Sequence, residues 1–142
     1  MRLGPLHHVG IAVPSIDEAL PFYRATLGLR AEPVRALPEQ RVRVTFLGEG
    51  RQRLELIEPI DQESGVARFL AERGKRPTLH HVCYVVEDLA ATLRSLDRDG
   101  VELIDRAPRH GAEGMVAFIH PRASGGVLIE LIDRASLGDS IP

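Results

Sequence analysis

Cysteine, aromatic residues and long apolar runs are all scarce in this sequence of 142 residues. Cys83 is the only cysteine, so the chain can form neither an internal disulfide nor a cluster of thiolates that binds a metal. Tryptophan is absent, and aromatic residues make up 4% of the chain. The core must therefore consist mainly of aliphatic side chains, and we expect Cys83 to pack among them as a small hydrophobic residue.

Neither sign of charge dominates, because 18 Lys and Arg residues nearly balance 20 Asp and Glu residues. The formal net charge is -2, and no run of five or more like charges occurs, which argues against a nucleic acid or an anionic membrane as partner. No segment approaches the roughly 18 consecutive apolar residues of a membrane span, and the N-terminus lacks the apolar stretch of a signal peptide. We therefore expect a cytoplasmic protein that binds neither nucleic acid nor membrane.

An internal repeat is the strongest pattern that the sequence does contain. The segment Leu6-His7-His8-Val9 recurs as Leu79-His80-His81-Val82, 73 residues later. This period exceeds the roughly 20 to 50 residues of a solenoid repeat, so it indicates a duplicated half-domain. We expect a single domain over residues 1–142, with module 1 over about 4–60, a linker helix over about 61–77 and module 2 over about 78–134.

Each copy contains the signals of one helix followed by strands. Ser15 and Glu18 have the spacing of a capping box, with Gly28 as the helix stop; in the second copy Asp88 is the predicted N-cap and Gly100 the stop. Runs rich in β-branched residues then predict strands, and a further helix lies between the copies. The predicted plan is β-α-β-β-β, twice, with strands over 42–47, 53–57, 116–119 and 127–132, and the connecting helix over 64–73.

One histidine and one glutamate recur in the strands of each copy, as His8 with Glu55 and His81 with Glu130. Imidazole and carboxylate together suit first-row divalent ions such as Zn, Ni, Co, Mn or Fe, whereas Mg and Ca favour oxygen ligands. Both glutamates stand among apolar neighbours, where an unpaired carboxylate is costly. The sequence therefore predicts one metal site formed by these four residues. Strand alternation further predicts that His7 and His8 point to opposite faces.

Five stretches resemble the vicinal oxygen chelate superfamily of glyoxalases, bleomycin resistance proteins and dioxygenases, and within it the methylmalonyl-CoA epimerase family. They are LHHVGIAV at 6–13, PEQRVRVTFL at 38–47, LELIEPI at 54–60, LHHVCYVV at 79–86 and FIHPRASGGVLIEL at 118–131. The resemblance covers nearly the whole chain. It implies an α+β fold in which two repeated β-α-β-β-β modules form a half-open barrel around a metal site, usually as a homodimer.

The same resemblance implies an activity. Members interconvert the 2R and 2S forms of methylmalonyl-CoA, an acyl-CoA substrate, by removing and returning a proton through a metal-stabilised enolate. His8, His81 and Glu130 match the metal ligands, Glu55 occupies the fourth ligand position, and the expected cofactor is one divalent ion (Co, Mn, Ni or Zn). Glu130 and Glu55 are the expected catalytic pair, with Glu130 the stronger candidate. In some epimerases another catalytic glutamate stands where this chain has Val44, which leaves one acid–base partner open.

Other activities share this ligand set or fold. A glyoxalase I-like lactoylglutathione lyase would use the same kind of histidines and glutamates, although the segment before Glu130 favours the epimerases over the DPDG-type turn of many glyoxalase-like chains. A non-catalytic binding or sequestering protein of the same fold commonly lacks the ligands that are kept here. Extradiol dioxygenases rank last, because a fourth anionic ligand at Glu55 would crowd the positions needed for oxygen and catechol.

Overall fold

The structure, a computed structural model, describes residues 1–138 and divides the chain into two compact units. One unit comprises residues 9–80, and the other comprises residues 1–8 together with the chain from His81 onward. The elements follow the predicted order β-α-β-β-β twice, which confirms the expected α+β class. Among residues 1–138, no helix combines the length and apolarity that a membrane-spanning segment requires.

The first module begins with strand β1 (Leu6–Ala12) and helix α1 (Ile16–Pro21). The Ser15 hydroxyl accepts a hydrogen bond from the backbone N–H of Glu18, at 3.2 Å, as the capping pattern predicts. The α-helix is shorter than expected and continues as a π-helical segment, Phe22–Thr26. Pro21 lacks an N–H and disfavours regular α-helical bonding at this point.

Strands β2 (Arg35–Leu37), β3 (Val42–Leu47) and β4 (Leu54–Pro59) complete the first module. Strand β4 lies between β3, which is antiparallel to it, and β1, which is parallel to it. The predicted strand over 53–57 is thus confirmed with a small shift, whereas no residue range was predicted for β2. The connecting helix α2 (Gly65–Ala71) begins after Ser64, as expected, and the Ser64 hydroxyl accepts from the Val66 N–H.

The second module contains β5 (Thr78–Val86), α3 (Leu89–Arg98), β6 (Arg109–His110), β7 (Met115–Ile119), the short α4 (Pro121–Ser124) and β8 (Leu128–Asp133). Asp88 caps α3 as predicted, because its side chain accepts from the Ala91 N–H. Leu89, Leu93 and Leu96 form the buried stripe of α3 and pack with β7 and β8. Strand β8 lies parallel to β5 and antiparallel to β7, so it repeats the place of β4 in the first module.

A carboxylate at the end of the last strand holds the helix of its own module. Glu58 Oε1 accepts from the N–H of Ile16, the first residue of α1, at 3.0 Å, and Arg43 Nε donates to Glu58 Oε2 at 2.6 Å. In the second module, Asp133 Oδ1 accepts from the N–H of Leu89, the first residue of α3, at 2.9 Å. Negative charge at a helix N-terminus also complements the helix dipole. These contacts fix the position of each helix against its strands.

Replacing Glu58 with alanine is expected to destabilise the protein by about 2 kcal/mol. Arg43 would lose a charge-assisted hydrogen bond, and the buried N–H of Ile16 would lose its acceptor. Urea denaturation of the variant and wild type measures this difference. Glu49→Ala is the matched control, because Glu49 is exposed on a turn (its side chain is 70% accessible) and should leave stability nearly unchanged. Equal stability of the two variants would contradict this role of Glu58.

Candidate metal centre

The pairing of β5 with β8 brings a histidine and a glutamate to one face of the second unit. Glu130 on β8 is the register partner of Cys83 on β5, and His81 stands two residues before Cys83. Directly paired residues share a face of the sheet, as do residues two apart on one strand. Phe118 on β7 is the other register partner of Glu130, and its ring centroid lies 6.0 Å from that of His81. His81 and Glu130 therefore share a face, next to an aromatic ring.

His8 completes a triangle with these two side chains. Its Nε2 lies 3.0 Å from His81 Nε2 and 3.1 Å from Glu130 Oε1, and the third edge, between His81 Nε2 and Glu130 Oε1, is 3.4 Å. His8, His81 and Glu130 are only 4%, 4% and 8% exposed, respectively. The structure thus brings together three of the four predicted ligands, and all three belong to the same compact unit.

One polar atom of this triangle, Glu130 Oε1, lacks an ordinary hydrogen bond, whereas the two imidazole nitrogens lie at hydrogen-bonding distance from each other. Although two imidazole nitrogens are near, Glu130 Oε1 is buried and takes part in no hydrogen bond of acceptable geometry with the described residues. Burial alone would raise the pKa of Glu130, but the polar contacts and electrostatic attraction of His8 and His81 outweigh it and lower that pKa below its ordinary value. The carboxylate is therefore held in its anionic form, the form that binds a metal.

The dimensions of the triangle fit a divalent ion of the first transition row. Bonds of about 2.1 Å at right angles place neighbouring ligand atoms about 3.0 Å apart, and tetrahedral angles place them about 3.4 Å apart. The observed edges of 3.0, 3.1 and 3.4 Å fall in this range. An orphaned buried oxygen beside two imidazole nitrogens is a donor set for Zn, Co, Ni or Mn rather than for Mg or Ca. His8, His81 and Glu130 therefore fit a metal ion.

Glu55, the fourth predicted ligand, lies on β4 in the unit of residues 9–80 and is 6% exposed. Its register partners are Gly10 on β1 and Phe46 on β3. The prediction that it is buried among apolar strand residues is thus confirmed. Its membership of the ligand set stays a prediction.

Of the pair His7 and His8, only His8 belongs to the ligand triangle, yet the two rings contact each other. Both rings are 4% exposed, and their Nδ1 atoms are 2.7 Å apart. Alternation fixes the directions of the Cβ atoms, but an imidazole ring extends far enough beyond Cβ for adjacent rings to meet where the strand twists.

Two remaining expectations concern single residues. Cys83 is fully buried with Val85, Val116 and Ile132, which confirms its place in the core. Val44, where some epimerases carry a catalytic glutamate, is fully buried on β3, paired with Ile57 on β4. Its side chain offers no group that exchanges a proton.

Comparisons with known proteins show the family of this chain. The sequence model described as the glyoxalase/bleomycin resistance protein/dioxygenase superfamily matches residues 7–118. The mitochondrial methylmalonyl-CoA epimerase of Mus musculus is 37% identical over 131 residues, which is 92% of this chain and 73% of that protein. Because these matches extend over most of both chains, the resemblance seen in the sequence is confirmed.

Solved structures give the same result. The methylmalonyl-CoA epimerase of Mycobacterium tuberculosis is similar with a TM-score of 0.83 and 36% identity, over 90% of this chain and 86% of that one. A Streptomyces coelicolor methylmalonyl-CoA epimerase variant in complex with 2-nitronate-propionyl-CoA is similar with a TM-score of 0.87 and 30% identity, over 96% and 99% of the two chains. The chain therefore belongs to the glyoxalase/bleomycin resistance protein/dioxygenase superfamily and, within it, to the methylmalonyl-CoA epimerase family.

Proposed function

We propose that this protein is an isomerase that epimerises methylmalonyl-CoA at carbon 2 with the help of one divalent metal ion. The triangle of His8, His81 and Glu130 carries the proposal. Its three buried atoms lie about as far apart as neighbouring ligand atoms of one metal ion, and a cation would offset the cost of burying the carboxylate. The family to which the chain belongs supports the choice of an acyl-CoA as substrate.

The reaction exchanges a proton next to the thioester carbonyl. A divalent ion held by His8, His81 and Glu130 would supply Lewis acidity that stabilises negative charge on the substrate oxygens while carbon 2 is deprotonated. The chain must then supply a carboxylate that takes the proton on one face and a carboxylic acid that returns a proton on the other. Each turnover exchanges the protonation states of the two groups, and proton exchange with water restores them.

Glu130 and Glu55 are the two carboxyl groups that we assign to this exchange. Glu130 directs Oε1 toward the histidines, so its other oxygen, Oε2, is the atom that would carry the proton. The strand register supports Glu55. It pairs with Phe46, two residues from Val44 on β3, and therefore shares the sheet face of the position where some relatives carry their catalytic glutamate. A carboxylate at Glu55 would thus act from the same face of the first module.

Further parts of the proposal concern the fourth ligand, the ion, the assembly and the location. Glu55 also serves as the fourth ligand, and the ion is Co, Mn, Ni or Zn. The chain acts as a single domain, is a homodimer and works in the cytoplasm.

Deuterium uptake at carbon 2, followed by NMR in heavy water with Co-loaded protein, tests the substrate. Methylmalonyl-CoA should lose its carbon 2 proton signal far faster with protein than without. The methylglyoxal–glutathione hemithioacetal, offered to the same preparation, should not be converted.

Three outcomes decide between the candidate functions. Exchange on methylmalonyl-CoA alone supports the epimerase. Conversion of the hemithioacetal alone would overturn the epimerase in favour of a lactoylglutathione lyase. No reaction with either substrate, in protein that holds its metal, would overturn it in favour of a binding protein.

A further inference from the structure

His7 contacts one of the candidate metal ligands on the side away from the metal position. Its Nδ1 lies 2.7 Å from Nδ1 of His8, and the two rings meet edge-on at a centroid distance of 5.0 Å with an interplanar angle of 76°. Both rings are buried. A nitrogen–nitrogen distance this short is that of a hydrogen bond between one N–H and one lone pair.

The metal site decides which nitrogen carries the proton. His8 Nε2 points at His81 Nε2 and Glu130 Oε1, so this nitrogen must present its lone pair when the site is loaded. A neutral imidazole has a single N–H, which in His8 is then at Nδ1. His8 Nδ1 therefore donates to the lone pair of His7 Nδ1, and the proton of His7 stands on Nε2.

We infer that His7 is a positioning residue for the metal: by accepting a hydrogen bond from His8, it selects the tautomer and the ring orientation in which His8 Nε2 binds. This inference rests on the proposed metal site but not on the proposed substrate. A partner on the far nitrogen of a ligand histidine also raises the basicity of the nitrogen that binds the metal. The acceptor is usually a carboxylate or a carbonyl, and here a second histidine takes that place.

The repeat provides a matched control. His80 precedes ligand His81 as His7 precedes His8, but the His80 ring packs edge-on against Phe69 at a centroid distance of 4.7 Å. The two histidines stand at equivalent positions of the repeat, and the packing of His80 on Phe69 differs from the contact of His7 with His8. The same substitution at both positions separates a hydrogen bond to a ligand from the general effect of losing a histidine beside one.

The dissociation constant of Co²⁺, measured by competition with a chelator on metal-free protein, tests the inference without reference to activity. His7→Leu removes the acceptor and should weaken Co²⁺ binding about 10- to 100-fold. His7→Asn places an amide oxygen near the position of Nδ1 and should stay within about threefold of wild type. His80→Leu should bind as wild type does.

Nitrogen NMR of the Zn-loaded wild-type protein gives a second measurement that needs no variant. His8 should show a protonated Nδ1 and a metal-bound Nε2. A protonated Nε2 on His8, or equal weakening by His7→Leu and His7→Asn, would overturn the inference. So would two equivalents of metal per chain, because the Nδ1 atoms of the His7–His8 pair and the thiol of Cys83 would then hold an ion of their own.

Discussion

Glu130→Gln is expected to lower the rate of carbon 2 exchange by about 10³-fold, within the range seen when a positioned proton-transfer group is lost. The substitution keeps the size of the side chain but removes the negative charge that lies 3.1 and 3.4 Å from the two histidine nitrogens. Metal binding should weaken as well, because the remaining protein ligands of the triangle are neutral. The exchange rate on methylmalonyl-CoA and the metal content of the purified variant measure the two effects.

Glu102→Gln is the control for this prediction. Glu102 lies in the same unit as Glu130, but it pairs with Arg122 at the surface. Its replacement by glutamine changes the charge by the same amount. That variant should keep both its metal and its rate. If Glu130→Gln were as active as Glu102→Gln, Glu130 would have no part in the chemistry.

Glu55→Gln is expected to slow the exchange by about 10²- to 10⁴-fold while the metal stays bound. The amide oxygen of glutamine can still bind a metal, but it cannot take up a proton. Val44 carries no carboxylate that could take over this proton transfer. The loss should therefore appear in the rate constant of exchange and much less in the metal content.

A rescue variant makes this prediction stricter. Val44→Glu in the Glu55→Gln background places a carboxylate two positions along the same sheet face. The exchange rate of this double variant should be at least about tenfold higher than that of Glu55→Gln alone. Glu49→Gln, on an exposed turn, should behave as wild type. A wild-type rate in Glu55→Gln would contradict the assignment of Glu55 to proton transfer.

The repeat explains why much of the fold could be predicted from the sequence. Two copies of the same order of elements gave the α+β class, and the polar caps Ser15, Ser64 and Asp88 marked the helix starts that the structure contains. The plan counts the short strands β2 and β6, of three and two residues, but their positions could not be predicted because so few residues show no periodicity. Their position depends on pairing with β3 and β7, which only the folded chain provides.

Part of the candidate site could likewise be predicted from the sequence, and part could not. Repetition of His and Glu predicted His8, His81 and Glu130 as a group, since equivalent strands of a duplicated fold carry equivalent side chains. The contact of His7 with His8 depends on ring orientation, and strand alternation describes only Cβ directions. Glu58 and Asp133 are separated by 75 residues, as are Glu55 and Glu130. That shared spacing was an available signal for the carboxylates that hold the helices, and it went unused.

Titration of the metal-free protein with Co²⁺, with the carbon 2 exchange rate measured at each addition, tests the central claim most directly. The proposed site holds one ion per chain and acts through it, so the rate should rise from near the uncatalysed value and level off at one equivalent. His81→Ala, which removes a ligand of the triangle, should stay flat over the same additions. A metal-free protein that already exchanges at the full rate, or a His81→Ala variant that follows the wild-type curve, would contradict the account.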